Sequence, residues 1–141
     1  MKNSKKLAIM SLVVSILIPF YSNAGTNHTN MNFSFNLGTT NFTQYSPKRM
    51  KFEKTPVYCK VKSMHLNDQS IKLAAVRGDY TESTFTPIYY VTSPGVYYLS
   101  SNIMENHIKL KTDQNARIRC QKYNNFTQAS LNGVRSPDSY R

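Results

Sequence analysis

Tryptophan is absent from this chain, and acidic residues are scarce: seven Asp and Glu stand against eighteen Lys and Arg. The missing Trp, with Ile118 where a Tyr would stand two residues before the second Cys, removes the immunoglobulin pattern. The few acids are scattered singly, so no carboxylate pair offers general acid–base chemistry. Two cysteines and three histidines give no zinc-ligand spacing. The five glycines form no phosphate-cradling loop, and no nucleophile elbow occurs. No motif calls for a cofactor or a metal. A long apolar stripe of 3.6-residue period is missing too, which excludes a helical bundle.

The N-terminus carries the plainest signal. Lys2, Lys5 and Lys6 precede an uncharged, mostly apolar run from Leu7 to Phe20, and Ser22-Asn23-Ala24 supplies small residues at a peptidase site. A helix over those 14 residues would span about 21 Å, short of the ~30 Å of a bilayer core. The expectation is a cleaved secretory signal over residues 1–24, no permanent membrane anchor, and a secreted or periplasmic domain over residues 25–130. Residues 131–141 are polar and read as a flexible tail.

Without its first three lysines the domain keeps fifteen basic against seven acidic residues, a net +8. Such a charge says nothing about fold. It favours acidic partners: an anionic glycan, a lipid headgroup or an acidic protein.

Alternation dominates the rest. Phe33, Phe35 and Leu37 share one face of a strand, as do Val57, Cys59 and Val61, and Ala116, Ile118 and Cys120. Ile71 to Val76 adds another strand, and Thr84 to Val91 is rich in β-branched and aromatic residues. Ser93-Pro94-Gly95 reads as a hairpin turn between Tyr89-Tyr90-Val91 and Val96-Tyr97-Tyr98-Leu99. Residues 107–111 alternate as well, with Ile108 and Leu110 inward. The charged stretch from Lys48 to Lys54 reads as a loop. The expected fold is all-β: a small antiparallel sandwich or barrel of about seven or eight short strands. One disulfide between Cys59 and Cys120 is expected to close it.

The outward residues of these strands make the candidate site. Lys60, Lys62, Lys109, Lys111, Arg117 and Arg119 obey the same alternation, with Tyr58 beside them. On neighbouring strands they would form a basic plate for sulfate, phosphate or carboxylate groups. The same residues would also serve simply as a solvated strand face. Tyr80, Tyr89, Tyr90, Tyr97 and Tyr98 crowd the middle of the chain, and each adjacent pair must put one ring on either side of its strand. The reading is a non-catalytic binding module.

Other classes stay in view. A nuclease-like enzyme or toxin would pair His65 with His107, though nothing in their spacing favours it. Residues 33–37 resemble in shape a strand donated to a neighbouring fibre subunit. Arg77-Gly78-Asp79 is the tripeptide integrins read, but it is also ordinary turn chemistry and too weak a motif to carry that partner. Asn27, Asn32, Asn41 and Asn125 begin glycosylation triplets, which have meaning only in a glycosylating secretory pathway.

Overall fold

A computed structural model describes residues 26–66, 70–80, 86–122 and 128–140. The expected signal segment lies outside the described residues. The order is β1 (Met31–Leu37), β2 (Thr43–Tyr45), β3 (Arg49–Met50), β4 (Val57–Leu66), β5 (Ile71–Arg77), β6 (Tyr89–Val91), β7 (Gly95–Leu99), α1 (Ile103–Leu110), β8 (Asn115–Lys122) and β9 (Ala129–Ser136). Among the described residues the fold is all-β apart from this one helix, with two antiparallel sheets.

The first sheet runs β1-β9-β4-β7, and the second β2-β8-β5-β6 with β3 also on β8. The inward rows are those the alternation marks: Phe33, Phe35 and Leu37, then Val57, Cys59 and Val61, then Ala116, Ile118 and Cys120. Ile71, Leu73 and Ala75 join them from β5. The two sheets bury these rows against each other as a sandwich.

Four expectations need correction. The disulfide is not formed: Cys59 and Cys120 are free, buried thiols. They lie on strands of different sheets, so a bond would have to cross the interlayer space, ~10 Å between facing sheets, rather than join neighbours. Burial pushes the Cys59 thiol up to about 12 and raises that of Cys120 further. Both are apolar core atoms in practice.

The flexible tail is a central strand. β9 pairs with β1 on one side and β4 on the other. Its apolar signal is thin because two inward positions are Gly133 and Arg135. Gly133 is required there: a Cβ would lie 2.0 Å from the Lys60 carbonyl oxygen, next to the irregularity between Val61 and Ser63.

Residues 107–111 are not a strand. They form the end of α1 and its C-cap, where Lys111 adopts φ 56° and its N–H bonds the His107 carbonyl. Ile103 and Met104 are the buried pair, while Ile108 and Leu110 are exposed. Alternation over five residues is too short to tell a strand from one helical turn, and this segment links β7 to β8 in the opposite sheet.

Nor is 93–95 a hairpin. β6 pairs with β5 and β7 with β4, so this turn carries the chain between sheets. Tyr97 and Tyr89 face inward and pack against the core, whereas Tyr90 is exposed, as strand geometry demands. No helix among the described residues is long and apolar enough to cross a membrane.

Candidate functional site: a tyrosine-walled pocket

Strand register builds the floor of the site. β4 sets Tyr58 opposite Tyr98 of β7 and opposite Ser136 of β9. Tyr58 points outward because Val57 and Cys59 on either side point into the core. The Tyr58 and Tyr98 rings meet edge-on at 5.9 Å.

The two ends of the described chain complete the walls. His28 and Asn30 come from the segment before β1, Ser139 and Tyr140 from the segment after β9. Tyr140 stacks on His28 at 4.0 Å and 14°. His28 Nε2 lies 3.9 Å from Glu53. These residues enclose a pocket of about 210 Å³. That is below the ~300 Å³ of a drug-sized site, so it suits one ring or one chain end.

A buried ion pair holds both ends in place. Lys51 Nζ lies 3.0 Å from Asp138 Oδ1, and neither side chain is exposed to water. The same carboxylate accepts the N–H groups of Asn27 at 2.9 Å, Phe52 at 3.1 Å and Glu53 at 3.1 Å. Lys51 also donates to the carbonyls of Thr55 and Pro137. Burial lowers the Lys51 pKa, and the hydrogen bond to Asp138 opposes that shift. The charged 48–54 stretch, read as a loop, contains β3 and a fully buried lysine.

Two polar atoms in the pocket wall, His28 Nδ1 and Ser139 Oγ, are buried and lack a hydrogen-bond partner among the described residues. A buried polar group without a partner costs ~1–3 kcal/mol.

The seven residues of the expected plate fall in three places. Tyr58, Lys60 and Lys62 share the outer face of the first sheet, Lys60 two positions from Tyr58, ~7 Å along the strand. Lys109 and Lys111 stand on α1 and its cap, exposed. Arg117 and Arg119 belong to the outer face of the second sheet. Arg117 donates to the Gly78 carbonyl at 2.8 Å and the Ser46 carbonyl at 2.9 Å, and lies 4.4 Å from the Tyr80 ring. Arg119 is buried. One contiguous plate is therefore not built: β4 and β8 share the same alternation but lie in separate sheets.

The remaining motifs are also placed. Gly78 of the Arg-Gly-Asp turn is buried, and Arg77 Nε lies 3.3 Å from Asp79 within the tripeptide itself. Asn27 spends its side chain on the Met50 carbonyl and on Arg49. Asn125 lies outside the described residues. His65 faces out from β4, whereas His107 lies in α1 with Nδ1 2.6 Å from the Thr112 carbonyl. β1 serves as an edge strand of its own sheet, and the Gln44 side chain caps the backbone N–H and C=O of Asn36 there. No metal-ligand group occurs among the described residues.

Sequence reasoning found Tyr58 and the Tyr97-Tyr98 pair but missed His28, Asn30, Ser136, Ser139 and Tyr140. No local pattern marks these five, since only the pairing of both chain ends with the middle of the chain unites them.

Fold and pocket together define a small two-sheet β domain with a recessed aromatic site. The chain belongs to a family of proteins of unknown function, DUF2712, whose model matches residues 20–139. No curated protein matches the chain. No solved structure matches it either.

Proposed function

We propose that this protein is an exported binding module that captures an anionic glycan by one terminal sugar ring in the tyrosine-walled pocket. One observation carries the reading: Tyr58, Tyr98 and Tyr140 wall a pocket of about 210 Å³, sized for a single ring. Tyrosine rings offer stacking area with little rotamer entropy, and the exposed Asn30 side chain at the pocket's edge offers a polar group. Lys60 and Lys62 on the same face supply the attraction for carboxylate or sulfate groups along the glycan. Export follows from the basic, apolar and small-residue order of the first 24 residues.

Titration calorimetry with glucuronate-containing oligosaccharides tests the proposal. Tyr58→Ala and Tyr98→Ala should each weaken binding at least tenfold. Lys60→Ser with Lys62→Ser should weaken it less and flatten its salt dependence. Unchanged affinity in both tyrosine variants would refute the pocket as the site. Cleavage of the oligosaccharide during titration would replace the binding reading with an enzymatic one.

A further inference from the structure

Lys51 and Asp138 meet under conditions that favour more than an ion pair. Nζ lies 3.0 Å from Oδ1, and neither side chain is exposed to water. Lys51 also donates to the carbonyls of Thr55 and Pro137. If the third proton crosses to Asp138, the pair becomes an amine and a carboxylic acid. The two remaining N–H groups stay on those carbonyls, and the nitrogen lone pair faces the carboxyl group. Burial lowers the Lys51 pKa, which favours this neutral pairing.

The surroundings match the needs of acyl transfer. The N–H groups of Asn27 at 2.9 Å and Phe52 at 3.1 Å both donate to Oδ2. They would hold the negative charge that develops there when the nitrogen attacks. Oδ1, on the lysine side, accepts the Glu53 N–H at 3.1 Å. Glu105 of α1 is close enough for its charge to act on Lys51. Its Oε2 is buried and has no hydrogen-bond partner among the described residues. A carboxylate with an idle oxygen in that place can carry a proton.

We infer that Lys51 and Asp138 condense after folding into an intramolecular amide. The Lys51 nitrogen bonds to Cγ of Asp138, and the bond from Cγ to Oδ1 breaks. Glu105 takes a proton from the nitrogen and delivers it to Oδ1, which already holds the proton that crossed from Lys51 and so leaves as water. The step consumes no co-reactant. Bulk water opposes such a condensation, but here water is excluded and the two groups are held together, which is worth effective molarities of ~10⁵–10⁸ M in well-oriented cases. The link spans 87 residues and ties the segment after β3 to the segment after β9, in a chain whose two cysteines are free. The ion pair is the state before condensation, and protein still in that state keeps a titratable Lys51. Neither the amide nor the glycan pocket depends on the other.

Mass spectrometry of the folded, purified chain tests the bond. The intact mass should be lower by one water than the uncondensed chain. Trypsin should release Met50–Lys54 joined to Ser136–Arg141, because an acylated Lys51 is not cut. Lys51→Met should keep its full mass. Glu105→Gln should fold and lose water at least tenfold more slowly. Folded wild type that keeps its full mass and yields the two peptides separately after prolonged incubation would overturn the inference. A water loss that persists in Lys51→Met would place the dehydration elsewhere and refute the link as well. An undiminished rate in Glu105→Gln would overturn the proton route. If Lys51→Met does not fold, the branched peptide of the wild type decides.

Discussion

Asp138 is the residue whose loss should damage this fold most per atom removed. Its carboxylate is shielded from water and receives four donors: Lys51 Nζ at 3.0 Å and three backbone N–H groups at 2.9 to 3.1 Å. Asp138→Ala strands the ammonium of Lys51 with two neutral carbonyls and leaves three amides short of an acceptor. Breaking one side of a buried pair costs ~3–5 kcal/mol, against a total stability of ~5–15 kcal/mol. For a domain of this size the Tm should fall by about 10–20 °C. Asp138→Asn keeps an acceptor for the amides and should cost less. Adding Lys51→Met to Asp138→Asn removes the stranded charge and should recover part of the loss, a coupling that a double-mutant cycle reads by calorimetry.

The sign with pH is fixed. Lys51 titrates below its ordinary value in the folded chain, and losing Asp138 lowers it further. Between the folded and unfolded values the folded amine is neutral while the unfolded one is charged, so stability rises with pH there, ~1.4 kcal/mol per unit. The stability gap between wild type and Asp138→Ala should therefore narrow as pH rises towards about 10, the unfolded lysine value. A variant melting within 3 °C of wild type, or a gap independent of pH, would refute the reasoning.

Four further outcomes are expected. Native protein should show no disulfide by intact mass, and Cys59 and Cys120 should react with iodoacetamide only on unfolding. Their raised pKa values mean that stability from the neutral thiols, present below about pH 8.5, the unfolded value, is lost as pH climbs towards 12. Two thiols labelled rapidly in folded protein would contradict the buried placement. Gly133→Ala should cost ~2–4 kcal/mol or prevent folding, because backbone rather than a flexible side chain blocks the new methyl; a Tm like wild type would disprove the close approach. Arg117→Ser with Arg119→Ser should destabilise by more than 1 kcal/mol, whereas Lys60→Ser with Lys62→Ser should stay within ~0.5 kcal/mol, since only the lysines stand in water. Tyr140→Ala should weaken glycan binding with little change in Tm, because the ring is 90% exposed and touches the pocket rather than the core; a stability loss above 2 kcal/mol would make it a structural residue.

The sequence by itself determined the class of fold and its inner surface. Period-two alternation is a local property, so Phe33, Phe35 and Leu37 or Ala116, Ile118 and Cys120 are assigned inward wherever their strands end up. It likewise determined that one tyrosine of each adjacent pair faces out. Which strands neighbour each other is a non-local property, and there the sequence was silent. β4 and β8 carry matching patterns of cysteine and cations, yet the chain places them in opposite sheets, which separates the thiols and divides the cations. Tertiary structure alone decided that the polar C-terminal residues form a central strand, because Gly133 and Arg135 erase its apolar signature while β1 and β4 supply its hydrogen bonds. It alone decided that Lys51 is buried, since the partner that makes this tolerable lies 87 residues away. The pocket follows from that same contact: a carboxylate at one end of the described chain holds the backbone of the other, and only then do His28 and Tyr140 meet over Tyr58.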